Sequence, residues 1–451
     1  MTNITGRIRE STSNRPYRLS FKEMGEFRRD QMNTIAELTA RLGRVAHVSM
    51  LGIPLYFISE PAIIREILIR HADEIKKDRF TMHMFKRFLG EGLVTAEGEP
   101  WQQQRKLLQP IFHAAHIHDF AAVFAEQAQA MCQRWRVGDT IQLEREMMAL
   151  TLRIICRTMF STDIDGLIDK MGELLRVLLA EAQSQLTFGL PIPNWLPLPT
   201  YLRQNQAIRG LHELLLAIIH KRQTQIAHGE DVPSDLLTML LTARYDDGRP
   251  MSDTQVLHEC MTIFFAGHET TAVGLTWILV ELLQHPAILA RLTDEVQRVL
   301  GSRTIGYDDL RRMPYVTQVI KEALRLHPPV AAFARQVVAA FDVDEYGFKS
   351  GDTLVFSINT LHHQAEFYPN PDCFDPERFG ADRAAPDRYT YMPFGAGARI
   401  CVGNAFAMLE MQIVLATMMQ TQRLALAPGQ TFAPIQLITL RPRNGVKVQV
   451  Q

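Results

Sequence analysis

The chain has 451 residues, 47% of them hydrophobic and 22% charged, with a formal net charge of −1. That is a soluble globular composition, and its near-neutral charge argues against nucleic acid as a partner. Its five cysteines (Cys132, Cys156, Cys260, Cys373, Cys401) are odd in number, scattered and never in a Cys-x-x-Cys pair, which argues against a disulfide framework or a structural zinc site and fits a reducing cytoplasm.

The first twenty residues carry Arg7, Arg9, Arg15 and Arg18 and no apolar run, so neither a secretory signal nor a membrane anchor is expected. Apolar residues at helical spacing predict a helix from Pro61 to Ile75, and Pro100 opens another through Trp101, Leu107 and Leu108. The Pro-rich stretch Leu190 to Pro199 is too short for a domain linker and reads as a mobile lid between two helices. Length alone suggests two or three domains. With no linker to divide the chain, one domain over 1–451 is expected.

Ser252 begins the longest helical run, with Gln255 three residues on as a capping-box partner, and the pattern continues to His285 before Pro286. At 1.5 Å per residue this run spans roughly 50 Å. Its middle reads Ala266-Gly267-His268-Glu269-Thr270-Thr271, and polar groups inside an otherwise apolar helix cost helix propensity and desolvation, which points to a purpose. His268 faces a different side from its neighbours and reads as ordinary.

Helices are expected from Pro286 to Leu300, ending at Gly301, and from Tyr315 to His327, ending at Pro328-Pro329. The second carries Glu322 and Arg325 on one face. Strand alternation marks Thr353 to Ser357, and Asn444-Gly445 predicts a terminal hairpin turn. The sum is a mainly α protein with small peripheral β-sheets.

Pro393-Phe394-Gly395-Ala396-Gly397-Ala398-Arg399-Ile400-Cys401-Val402-Gly403 precedes an apolar helical run to about Gln422. Glycines let the backbone fold tightly around the sulfur, and the positive end of the following helix points at it. Helix dipole and backbone N–H groups lower a thiol pKa, so a thiolate at Cys401 is expected, the form that ligates iron.

The pattern Phe-x-x-Gly-x-Arg-x-Cys-x-Gly resembles the heme-ligand loop of the cytochrome P450 family. Further motifs follow in that family's order from residue 101 to 410: the Trp101 helix, the Ala266–Thr271 segment, Glu322-Ala323-Leu324-Arg325 and Pro376-Glu377-Arg378-Phe379. The resemblance implies the cytochrome P450 fold, with heme b (iron protoporphyrin IX) between the long central helix and the helix after the cysteine loop. Cys401 is then the iron ligand, with Gly403 in its loop and Phe394 packed against the thiolate side. Trp101, Arg105, Arg335 and Arg399 would hold the heme propionates. Ala266 and Gly267 would border the heme where the helix opens, Thr270 would be the oxygen-binding alcohol, and Glu269 the acid that relays protons. A threonine bonded back to its own helix carbonyl is the other reading, and it suits Thr271 equally. Glu322, Arg325 and Arg378 would form a structural ion network.

By the same resemblance the substrate pocket is lined by Met82, Met84, Phe85, Val94, Phe188, Phe265, Ala266, Val330, Ala331 and Ile438, although ordinary core packing explains each residue as well. The apolar lining suits a hydrophobic substrate such as a terpenoid, a steroid or a fatty-acid-like chain. Gly52 to Phe57 lacks the cation that anchors a carboxylate in some fatty-acid hydroxylases of the family, which favours neutral substrates. The implied reaction is monooxygenation with O2, using electrons from a ferredoxin or flavodoxin with its reductase, docked near Arg105, Lys106 and Arg399. No fused reductase is expected, and a cytoplasmic monomer is. The alternatives are a peroxide-driven peroxygenase and a non-catalytic heme-thiolate binding or sensing protein.

Overall fold

The computed structural model describes residues 16–112, 117–161, 166, 170–179 and 198–451. The Pro-rich stretch 190–197 and Phe188 lie outside them. Helices in chain order are α1 (Phe21–Arg29), α2 (Gln31–Leu42), α3 (Pro61–Ile69), α4 (Arg79–Leu89), α5 (Gly98–Leu108), α6 (Ala121–Arg134), α7 (Leu143–Phe160), α8 (Pro199–Ala227), α9 (Leu236–Thr242), α10 (Asp253–Gln284), α11 (Pro286–Leu300), α12 (Pro314–Leu326), α13 (Ile358–His362) and α14 (Asn404–Thr421).

Helix α10 organises the interior. Ser252 caps it by accepting the Gln255 N–H, but the Gln255 side chain turns forward to Glu259 instead of back to the cap. Its 32 residues extend about 48 Å at 1.5 Å each. It is long and apolar enough to cross a membrane, yet 78% of its apolar window is buried, by neighbours that include α7, α8, α12 and α14. Trp277 is fully enclosed, donates Nε1–H to the Leu440 carbonyl at 2.7 Å and stacks on His327.

The strands are peripheral. Tyr17–Arg18 (β1), Val45–Met50 (β2), Ile53–Ile58 (β3), Ile75–Lys77 (β4), Ala332–Val337 (β5) and Thr353–Ser357 (β6) form one sheet in the order β1-β2-β3-β6-β5-β4. Helix α3 stops at Ile69, six residues before the expected end, because Ile75 belongs to β4 and pairs with Val337.

No terminal hairpin forms at Asn444-Gly445. The strand before it, Leu440–Pro442, pairs with Pro434–Gln436, whereas the strand after it, Lys447–Val450, lies between Leu424–Leu426 and Thr140–Gln142. The turn therefore passes the chain from one small sheet to another.

Candidate active site

Cys401 ends a tight loop that enters α14. Its N–H donates to the Phe394 carbonyl at 3.0 Å, and Gly395 and Gly397 adopt φ of +72° and +70°, values that strain any side chain. A Cβ on Gly397 would also sit 2.9 Å from the Leu68 carbonyl of α3. The loop is pinned from outside by Arg105, which donates to the Ile400 carbonyl at 2.7 Å.

The thiol departs from the sequence expectation. Burial pushes Cys401 up, against the smaller pull of the Gly403 N–H and the Arg105 cation, so loop and helix start do not by themselves produce a thiolate. A coordinating metal deprotonates a thiol outright, and that larger charge is what the loop calls for. Of the other cysteines, Cys132, Cys156 and Cys260 are buried and Cys373 is exposed.

Cys401 has exposed surface although its surroundings desolvate it. On α10, Ile263, Ala266, Gly267 and Thr270 are half-exposed while the helix from Thr271 to Leu282 is buried throughout. Those positions fall at i, i+3, i+4 and i+7, one face of the helix. One turn beyond, that face closes at Gly274, where a Cβ would meet the Met411 sulfur of α14 at 3.2 Å. We read these accessible surfaces as a slot between the two helices, with Cys401 at the start of one and the Ala266–Thr270 face on the other.

Positive charge gathers at the rim of this slot. Lys77 stands opposite Arg335 in the β4–β5 register, and Arg399 lies 3.7 Å over the Trp101 ring while donating to the Ala96 carbonyl and the Glu97 carboxylate. Burial pulls Lys77 down to about 7, with Arg399 and Arg335 adding to the effect. Burial also lowers Arg399 to about 10, and Arg335 and Arg105 act in the same direction. Arg335 is half-buried and makes a 2.8 Å bond to the adjacent Ala334 carbonyl. Among the described residues Glu97 is the carboxylate paired within this group. Half-buried cations in excess of their carboxylate partners favour an anion beside them. A planar dicarboxylate group with a metal centre satisfies both the cations and the thiol, so the residues fit heme. Lys77 was not picked out from the sequence, because nothing in Ile75-Lys76-Lys77 shows which lysine faces inward; only strand pairing does.

The helix face holds its own surprises. Helix α10 is continuous through Gly267 and does not open there; the missing side chain makes room for Ile155 of α7, which a Cβ would meet at 3.1 Å. Thr270 Oγ1 donates to the Ala266 carbonyl at 2.8 Å, the back-bonded arrangement, while Thr271 is buried. His268 is buried and donates Nδ1–H to Phe264. Glu269 is 2% exposed, and its Oε1 accepts from Arg441 at 2.6 Å and from Thr439 Oγ1 at 2.7 Å, while Oε2 is buried without a partner among the described residues. Arg441 and Thr439 were also missed, since they stand about 170 positions away.

Of the pocket candidates, Val94 is half-buried and its carbonyl accepts from Lys77. Phe265 packs edge-on against Phe85 and Phe88 of α4. Val330 is exposed, and Ile438 is half-buried against the main core. Ala331 sits apart, fully buried with Met32 and Leu440. Arg105 and Arg399 are half-buried and spend donors on the Ile400 carbonyl and on Ala96 and Glu97, and surface-exposed Lys106 is paired with Asp246 at 2.7 Å.

Glu322 and Arg325 are fully buried, joined by bonds of 2.7 and 2.8 Å, and Arg378 reaches Glu322 at 3.2 Å. Removing one partner from such a pair costs about 3–5 kcal/mol, because the other charge is left uncompensated. Arg325→Ala is therefore expected to lower unfolding free energy by about that amount in a urea titration; an unchanged midpoint would refute the structural role.

The family model for cytochrome P450 matches residues 11–450. The chain belongs to the cytochrome P450 family. Its cofactor is accordingly heme b, and it is an oxidoreductase of the monooxygenase class. Cytochrome P450 relatives include a cyclooctat-9-en-7-ol 5-monooxygenase of Streptomyces melanosporofaciens, 32% identical over 381 residues that cover 84% of this chain and 82% of its own. The pentalenene oxygenase of Streptomyces avermitilis is 32% identical over 394 residues, 86% of each chain. A cytokinin hydroxylase of Arabidopsis thaliana is 31% identical over 407 residues, 88% of this chain and 78% of its own.

Proposed function

We propose that this cytochrome P450, acting as one domain over 1–451, oxygenates a largely apolar, uncharged substrate of terpenoid or steroid size, with Cys401 as the iron ligand. When bound, the heme supplies the activation of dioxygen that places one oxygen atom in the substrate. The slot between α10 and α14, with a rim of half-buried cations that outnumber their carboxylate partner Glu97 among the described residues, is the observation that carries this reading.

Each side chain then has a task. Lys77, Arg335 and Arg399, with Arg105 and Trp101 beside them, hold the carboxylates of the cofactor, and Gly403 and Phe394 shape the loop around the sulfur. Thr270 presents a hydroxyl on the open face of α10, its proton engaged by the Ala266 carbonyl and its lone pairs free to accept. Glu269 keeps one oxygen clamped by Arg441 and Thr439 and one free, so the free oxygen is the position at which a proton is held before passing toward Thr270. Electrons come from a ferredoxin or flavodoxin with its reductase, and the chain works as a cytoplasmic monomer.

The preference for a neutral substrate rests on the charges. Strand β3 and the turn before it bring no cation, and the cation beside the open helix face, Arg441, is neutralised by Glu269. The names of two relatives, an oxygenase of pentalenene and a monooxygenase of cyclooctat-9-en-7-ol, agree with an uncharged unsaturated substrate. Steroids, terpenes and fatty-acid esters are expected to shift the heme absorption toward the high-spin form at lower concentration than matching free acids. Tighter binding of free fatty acids than of their methyl esters would show a carboxylate-binding cation and overturn the preference.

A further inference from the structure

The loop from Gly90 to Glu97, between α4 and α5, is fastened on two sides. Toward the slot, Lys77 and Arg399 bind its Val94 and Ala96 carbonyls. On the other side it lies flat on α10: a Cβ on Gly90 would be 2.1 Å from the His258 ring, and one on Gly92 would be 2.6 Å from the His258 carbonyl. Two adjacent residues of α10 then accept from its backbone. The Glu91 N–H donates to His258 Nδ1 at 3.2 Å, and the Leu93 N–H donates to Glu259 Oε2 at 3.0 Å.

The first of these bonds exists in one protonation state. Nδ1 accepts only while it holds a lone pair, so His258 must be neutral with its proton on Nε2. We propose that neutral His258 is a positioning residue for substrate, fixing through the Glu91 N–H the loop that carries Val94, so that protonation of the imidazole loosens this wall of the pocket. The link to substrate rests on Val94 lining the pocket; the clasp itself does not.

The surroundings set the direction. Facing His258 are Glu91, itself paired with Lys86 of α4 at 2.8 Å, His212 of α8 and neighbouring Glu259, which in turn faces Tyr245. Burial lowers His258, with Glu91 opposing, and lowers His212 as well, where His258 adds to the effect. His212 Nε2 is buried without a partner among the described residues. The clasp is therefore intact above the ordinary imidazole value and is lost as pH falls through the depressed folded value. Two charged imidazoles would then also repel. Glu259 behaves oppositely: burial raises it to about 7, so it gains a proton as pH falls through neutrality, and its neutral carboxyl still accepts the Leu93 N–H. Gln104 and Gln255, which donate to the Glu91 carbonyl at 2.9 and 3.2 Å, do not titrate.

Amide exchange on the holoenzyme at residue resolution tests this. As pH falls from about 7.5 through the depressed folded imidazole value, protection at Glu91 should fall roughly tenfold per pH unit below that value, while protection at Leu93 holds. In His258→Asn, whose amide oxygen replaces Nδ1 without titrating, Glu91 protection should be flat. The dissociation constant of a neutral ligand should rise about two- to tenfold over the same range in the wild type, the worth of one net hydrogen bond, and stay constant in the variant. Should the variant fold poorly, isotope-labelled histidine NMR of the wild type must still show the Nε2–H tautomer at neutral pH. Equal pH dependence of Glu91 protection in both proteins, or the opposite tautomer, overturns the clasp. A titrating clasp with pH-independent ligand affinity overturns the substrate role and leaves the monooxygenase reading intact.

Discussion

Cys401→Ser is expected to abolish turnover and to remove the thiolate-type absorption band from the reduced carbon monoxide complex. Serine keeps the loop geometry, since the Cys401 N–H to Phe394 bond and the left-handed glycines involve only backbone. What changes is the proposed ligand: an alkoxide at this position lacks the softness and the accessible deprotonation of a thiolate. Heme content should fall less than activity, because the contacts proposed for the cofactor carboxylates, at Lys77, Arg335 and Arg399, are untouched by the substitution. Persistence of the thiolate-type band in the serine variant would show that Cys401 is not the ligand.

Thr270→Ala is expected to divert reducing equivalents from product, with heme content and ligand-induced spectral shift unchanged. The Thr270 hydroxyl is the polar group on the half-exposed face of α10 nearest the free oxygen of Glu269 in sequence, and proton transfer by a positioned group contributes about 10²–10⁴-fold. The alanine variant should therefore consume NAD(P)H at a comparable rate while product per electron drops steeply and peroxide or water accumulates. Unchanged product per electron would reduce Thr270 to a helix residue bonded to its own carbonyl. Asparagine or serine at this position should recover part of the coupling, because each restores a polar group on that face.

Local signals were legible in the sequence and long-range ones were not. Helix α11 runs from Pro286 to Leu300 as expected, because proline at the first position and Gly301 at φ +57° are local devices. Strand β6 likewise coincides with Thr353–Ser357. The Glu322–Arg325 contact follows from i, i+3 spacing, and its enclosure needed the fold. By contrast, the partner of Asn444-Gly445's flanking strands depends on Pro434–Gln436 and Thr140–Gln142, which no turn dipeptide encodes. The clamp on Glu269 comes from Arg441, the inward cation Lys77 from strand register, and the raised thiol of Cys401 from desolvation. Each depends on which atoms surround a group, a quantity that spacing along one chain does not carry.

The most direct measurement supplies isotopically labelled dioxygen to the holoenzyme with a neutral apolar substrate, NAD(P)H and a surrogate ferredoxin with its reductase. One labelled oxygen atom per product molecule is expected, with dependence on the electron donors and no product from Cys401→Ser. Unlabelled product, or equal product from hydrogen peroxide alone without the electron donors, would contradict it.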